Sequence, residues 1–243
     1  MIPGIGVKLQ RHLRRCGIFT WDDFLRAFKI PGFSTWRKRE IDAQLRELKS
    51  QLFSLNSRFF ARILPASAHW LLFPHFRDYT IFLDIETTGI GEFAHTTVLG
   101  MADSSGYRCF IRGINLTADE LKKAFSRGKM LVSFHGTGFD LPFLKREFPD
   151  LPIYSLPHFD LCPAGRKVGL KGGLKKVEAV LGLNRSPEVV GMGGYEAVLL
   201  WDSYLRGNKK ALEQLVLYNQ EDVCNLIPLA EIIYQRLSES ENS

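Results

Sequence analysis

The stretch Phe82-Leu83-Asp84-Ile85-Glu86-Thr87-Thr88-Gly89 limits what this chain can fold into more than any other. Apolar residues flank its carboxylates on both sides, as in a strand buried within a sheet, and a turn follows at Gly89. Side chains alternate along a strand, so Asp84 and Glu86 share one face while Ile85 enters the core. Two neighbouring carboxylates repel, and each is costly to bury without a cation. A divalent ion resolves both problems, and hard oxygen ligands suit Mg²⁺ or Mn²⁺. The alternative is an edge strand with a solvated acidic face, against which the apolar flanks weigh.

Two later segments carry polar groups of the same kind. In Ser133-Phe134-His135-Gly136-Thr137-Gly138-Phe139-Asp140, a strand ends in a glycine-rich turn and a helix begins with Asp140 in its first turn. The helix dipole favours an aspartate there, so capping is a sufficient role for Asp140 taken alone. Phe139 and Phe143 suit either a core or a stacking surface for a base. In Tyr218-Asn219-Gln220-Glu221-Asp222, Tyr218 and Asp222 are four residues apart and share a helix face. They lie at the edge of an apolar stripe that includes Leu212, Leu215, Val216, Val223, Leu226, Ile227 and Ile233.

The surrounding pattern is α/β. Candidate strands at 79–84, 96–102 and 107–112 are close enough for an antiparallel meander. A helix follows over 118–126, a short strand over 130–134, and a helix from near Phe139. Further helices are expected near 172–181, 193–206 and 209–236, the last with a kink at Pro228. Strands in sequence followed by alternating helices and a strand suit an α/β core with a mixed sheet flanked by helices.

The order D-x-E on a strand, D after a glycine turn and Y-x-x-x-D on a late helix resembles the DEDD superfamily of metal-dependent 3′–5′ exonucleases, in its tyrosine-bearing (DEDDy) branch. The resemblance covers about residues 79–236 and is nearest to the YprB-like RNase H-like group, through Tyr195-Glu196-Ala197 and Leu205-Arg206-Gly207. It implies an RNase H-like fold and two divalent ions, Mg²⁺ or Mn²⁺, held by Asp84, Glu86, Asp140 and Asp222. Tyr218 would orient the attacking water. Thr87, Thr88 and Gly89 would meet a strand end, with His135, Phe139 and Lys171 as further substrate contacts. Such relatives usually have Asn at the position of His135. Leu217 occupies the place where the histidine-bearing branch has its base.

Charge divides the chain. Residues 1–75 hold 13 Lys/Arg and 5 Asp/Glu, a net +8, whereas residues 76–243 hold 19 and 21, a net −2. A basic block beside a carboxylate-bearing one suits a polyanion grip next to a metal centre, or simply a solvated basic surface. Residues 1–62 read as helical: Thr20 is a candidate N-cap for 21–28, and a longer helix is expected from Ser34 to Ser57. Ile2-Pro3-Gly4 recurs as Ile30-Pro31-Gly32, and Ile2 to Lys8 weakly resembles the hairpin of a helix-hairpin-helix element. Residues 63–78, with Pro65 and Pro74, read as a linker that packs against something; 79–237 form the α/β domain and 238–243 a tail. Arg166, Lys167, Lys171, Lys175 and Lys176 form a basic cluster that suits a solvated loop and helix face or contacts to phosphates, and Asp160 suits a structural hydrogen-bonding role ahead of support for the metal site.

No apolar run is long enough to span a membrane, and no signal-type segment opens the chain. The cysteines Cys16, Cys109, Cys162 and Cys224 are scattered without a C-x-x-C pair, which points to a reducing, cytoplasmic location. The expected activity is metal-dependent hydrolysis of DNA or RNA, by a 3′–5′ exonuclease. Two alternatives stand beside it: a nucleic-acid binding or scaffold module that keeps the nuclease fold, and a structure-specific endonuclease.

Overall fold

The computed structural model describes residues 5–242 and resolves two units, Met1–Asn56 and Ser57–Ser243. The first is built from α1 (Val7–Arg15), α2 (Trp21–Arg26) and α3 (Thr35–Phe53). Thr20 caps α2 through a reciprocal pair: its Oγ1 accepts the Asp23 N–H at 3.1 Å, and its own N–H donates to Asp23 Oδ2 at 2.9 Å. Phe24 packs edge-on against Phe33, with ring centroids 5.7 Å apart, and the Lys38 ammonium lies 4.9 Å from the Phe24 centroid. The short repeat has a structural counterpart. Ile5 and Phe33 are both buried, and the next residues, Gly6 and Ser34, are the extended N-caps of α1 and α3. Ile2-Pro3-Gly4 lies outside the described residues; in the second copy, Gly32 adopts φ +76°, which a side chain disfavours.

The second unit begins with α4 (Ser57–Ile63), a 3₁₀ turn (Ala66–Leu72), the single-turn α5 (Phe73–Phe76) and another 3₁₀ turn to Tyr79. The stretch read as a packed linker, 63–78, thus consists largely of short helical turns. Trp70, Leu72, Phe73 and Phe76 are buried there, and Phe73 packs edge-on against Phe159 and at a tilt against Tyr234.

The sheet follows, with β1 (Thr80–Thr87), β2 (Thr96–Asp103) and β3 (Gly106–Ile111), then α6 (Ala118–Phe125), β4 (Met130–Ser133), α7 (Asp140–Glu147) and β5 (His158–Asp160). The strand order is β3-β2-β1-β4-β5; the first three form the expected meander, while β4 pairs parallel with both β1 and β5. The chain closes with α8 (Leu161–Lys167), α9 (Leu174–Leu181), α10 (Gly194–Leu205) and α11 (Lys209–Asn242). This is the expected α/β architecture: a mixed five-stranded sheet flanked by helices.

Alternation along β1 separates two kinds of environment. Ile81, Leu83 and Ile85 enter a core with Leu121 and Phe125 of α6 and Phe143 and Leu144 of α7. On a second core, Val98 of β2 meets Trp201 of α10 and Leu215 and Tyr218 of α11.

The clearest departures from the expectation are two boundaries and one helix. Strand β1 runs to Thr87 rather than ending at 84, because β2 pairs Leu99 with Ile85 and Val98 with Glu86. Helix α11 continues through Pro228 and past 236 to Asn242, so the expected tail is helical as far as it is described. Helix α8 was hidden by Pro163 and Gly165. Pro163 falls in the first turn, where its missing N–H has no helical partner to lose, and Gly165 lets the helix pack close to Ile233.

Candidate active site

The site lies at the carboxyl ends of β1 and β4, where β1 changes from an antiparallel neighbour to a parallel one. In open α/β sheets, the crevice at such a reversal is where ligands bind. Asp84 and Glu86 project from one face of β1 toward α11, which supplies Tyr218, Asn219 and Asp222. Carboxylate oxygens of Asp84, Glu86 and Asp222 all lie within 4.8 Å of one another. Asp140 enters from the start of α7. Its Oδ1 accepts the Ile85 N–H at 3.1 Å, beyond Phe82, the last β1 residue paired with β4. All four carboxylates and Tyr218 line one cavity of about 470 Å³.

Asn219 holds the carboxylates in place and was given no role from sequence. It is fully buried, and its Nδ2 donates to Asp84 Oδ2 at 3.0 Å and to Glu86 Oε1 at 3.3 Å. Its Oδ1 accepts the Tyr107 hydroxyl at 3.0 Å, which fixes the amide with its NH₂ toward the acids. Gly100 of β2, paired with Asp84, makes the room: a Cβ there would lie 1.8 Å from Asn219 Oδ1.

Two cations flank the acids. Lys175 Nζ donates to the Tyr218 hydroxyl at 2.6 Å and sits 4.3 Å from the ring centroid. Arg185 donates to Asp222 and clasps Glu178 through two bonds of 2.7 Å. The contacts to Tyr218 and Asp222 join residues 43 and 37 apart in sequence, so no local spacing announces them.

The electrostatics follow from this crowding. Burial, then the Asp222, Asp140 and Glu86 charges, holds Asp84 well above the usual carboxylate range. Burial and Asp222 do the same to Glu86, against the Asn219 bond. Burial pushes Asp140 up to about 7, although N–H bonds from its own backbone and from Ile85 oppose it. Asp222 is raised by burial despite Arg185. The Tyr218 phenol is raised by burial and by Asp222, so it keeps its proton. Burial lowers Lys175, which Asp222 partly offsets. Fully ionised, the cluster would carry more negative charge than Lys175 and Arg185 neutralise, so without a metal its carboxyls hold protons above the usual range. Hard oxygen donors, close spacing and unbalanced charge together fit a small divalent cation.

The remaining expected substrate contacts divide. Gly89, Thr87, His135 and Phe139 line the cavity. Thr88 does not: its Oγ1 accepts the His95 N–H at 3.1 Å within the turn. Lys171 is exposed in the loop between α8 and α9, away from the lining, and Lys175 of the same basic cluster is the one that reaches Tyr218. Asp160 organises the glycine turn rather than contacting the carboxylates. Its two oxygens accept the His135 and Thr137 N–H groups at 2.8 and 3.0 Å, which holds His135 at φ +66°. Ile90 and Tyr195, which had no assigned role, stand exposed at the cavity.

Among solved structures, the chain is similar to the family B DNA polymerase of the hyperthermophilic archaeon Pyrobaculum calidifontis. Identity is 19% and the TM-score 0.52, over 63% of this chain and 24% of the polymerase. It is also similar to the EXO domain of Aedes aegypti Nibbler, at 14% identity and a TM-score of 0.47, over 70% of this chain and 85% of that one. The chain spans about a quarter of the polymerase, and the likeness to it is one of fold. No curated protein matches. The family model of the RNase H superfamily matches residues 81–234, which contain the whole sheet core and every carboxylate of the cluster, and the chain belongs to that superfamily.

Proposed function

We propose that this chain is a divalent-metal-dependent nuclease of the tyrosine-bearing DEDD type, in the YprB-like group, that removes nucleotides from the 3′ end of DNA or RNA. The observation that carries this reading is the convergence of Asp84, Glu86 and Asp222 oxygens within 4.8 Å, with Asp140 and Tyr218 lining the same cavity. Asp84, Glu86, Asp140 and Asp222 would hold two ions, Mg²⁺ or Mn²⁺. When bound, the ions polarise the scissile phosphate and lower the pKa of the attacking water.

The chain's own groups do the rest. Asn219 keeps Asp84 and Glu86 oriented. Tyr218 stays a neutral phenol, and the Lys175 ammonium occupies one acceptor site of its hydroxyl. The phenolic proton, which faces Asp222, would orient a water held beside that carboxylate for attack. His135, Phe139, Thr87 and Gly89 line the space a terminal nucleotide would enter. The basic first unit, with two matched helix starts, is proposed to add a salt-dependent grip on phosphates.

The test is a cleavage time course on end-labelled single and double strands of DNA and RNA, with Mg²⁺, Mn²⁺ or EDTA. Progressive release of mononucleotides from the 3′ end by wild type, lost in Asp84→Asn and in EDTA, is expected. Undiminished cleavage by Asp84→Asn would remove the metal-carboxylate mechanism, and binding without cleavage would leave a recognition module.

A further inference from the structure

The Glu178–Arg185 pair has no place in the mechanism above, yet it touches the metal cluster directly. Arg185 lies in the loop after α9, and its side chain is only 5% exposed; those of Glu178 and Asp222 are 2% and 8% exposed. The guanidinium bonds Glu178 through Nε and Nη2 and also donates from Nη2 to Asp222 Oδ1. Glu178 Oε1 additionally accepts Asn225 Nδ2 at 3.0 Å, so the acid that holds the arginine is itself held by α11. Arg185 Nη1 is buried with no hydrogen-bond partner among the described residues, and Cζ lies 5.8 Å from the Tyr218 ring centroid. A buried ion pair is rarely more stabilising than apolar packing of the same volume. What this one does supply is a fixed positive charge beside Asp222 in a region of low dielectric, where charge acts over a longer range than in water.

We infer that Glu178 and Arg185 are positioning residues that set how tightly the cluster holds its divalent ion and fix Asp222 and Tyr218 for turnover. This rests on the nuclease reading and extends it to regulation of the same site. Arg185 shares its charge between Glu178 and Asp222. Neutralising Glu178 leaves the full guanidinium charge on Asp222, and the ion is held more weakly. Removing both charges leaves Lys175 as the nearby cation acting on Asp222, and the ion is held more tightly. Charge governs affinity, whereas the forked geometry of the guanidinium governs turnover.

The experiment is calorimetric titration of EDTA-stripped full-length protein with MnCl₂, beside cleavage kinetics and circular dichroism. Four proteins are compared: wild type, Glu178→Gln, the double variant Glu178→Gln/Arg185→Gln, and Arg185→Lys. The Mn²⁺ Kd is expected to rise about tenfold in Glu178→Gln and to fall about tenfold in the double variant. In Arg185→Lys it should stay within about threefold of wild type while kcat falls at least tenfold, because the charge is kept and the fork is lost. Double-variant turnover should also fall despite the tighter ion. A shift of both Glu178→Gln and the double variant in one direction, or of neither, overturns the inference. If Glu178→Gln does not fold, a double variant with unchanged or weaker Mn²⁺ binding overturns it equally. A wild type that binds no Mn²⁺ overturns the nuclease reading itself, which separates the two failures.

Discussion

Gly100→Ala places one methyl group at the point where the architecture has no slack. Its carbon would stand 1.8 Å from Asn219 Oδ1, 2.9 Å from Asn219 Cγ and 3.0 Å from Tyr107 Cε2. Strand β2 cannot move aside, since Gly100 is paired with Asp84 on one side and Cys109 on the other. Asn219 must therefore swing away, losing the Tyr107 bond and its bonds to Asp84 and Glu86. Overpacking costs about 1–3 kcal/mol. The buried polar groups left without partners cost about 1–3 kcal/mol more. The sum corresponds to a fall in Tm on the order of 10 °C for a chain of this size. Mn²⁺ affinity should drop about 10–100-fold, the usual effect of losing a group that orients metal ligands. Calorimetry with and without Mn²⁺ reads both quantities. Adding Asn219→Ala to Gly100→Ala removes the clash, so the double variant should be more stable than Gly100→Ala alone, a non-additive cycle. A Gly100→Ala protein with wild-type Tm and Mn²⁺ affinity would refute the reasoning, and so would a double variant that recovers nothing.

Other consequences follow from the same contacts. Asp140 is raised from an unfolded value of 3.8 to about 7, so the folded, metal-free protein binds more protons than the unfolded chain between those values. Its contribution to stability is full below pH 3.8 and is lost as pH rises through about 7. The Tm in EDTA should therefore fall between pH 5 and pH 8, and the Tm gain from Mn²⁺ should grow over the same interval; a gain independent of pH would contradict this. Lys175→Met frees the Tyr218 hydroxyl from its 2.6 Å partner and should lower kcat about 10–100-fold with a smaller change in stability, as read by cleavage rate and thermal denaturation. Asp160→Ala leaves the His135 and Thr137 N–H groups without their acceptor and should cost about 1–3 kcal/mol in a denaturant titration. His135→Gly in that background should recover part of the loss, because φ +66° then carries no strain.

Sequence by itself determined the parts that local chemistry dictates. Alternation placed Asp84 and Glu86 on one face, four-residue spacing placed Tyr218 and Asp222 on one face, and the closely spaced strands gave the meander. Each of these is a one-dimensional period that the backbone converts directly into direction. The end of β1 at Thr87 was not legible, because it depends on partners that β2 supplies across the sheet. Helix α8 stayed hidden because Pro163 and Gly165 are breakers by propensity and acceptable only in their tertiary setting.

Only the tertiary structure decided what surrounds the acids. Asn219 lies among residues already singled out, but its role required Gly100, Tyr107 and β1 to meet it. Lys171 and Lys175 are equivalent as sequence, and the start of α9 at Leu174 puts only Lys175 against Tyr218. Arg185 reaches Asp222 across 37 residues through a loop with no periodic signal. Short-range periodicity thus determined which side chains share a face, whereas the meeting of those faces, and the charges and amides that hold the acids, were set by packing between elements far apart in the chain.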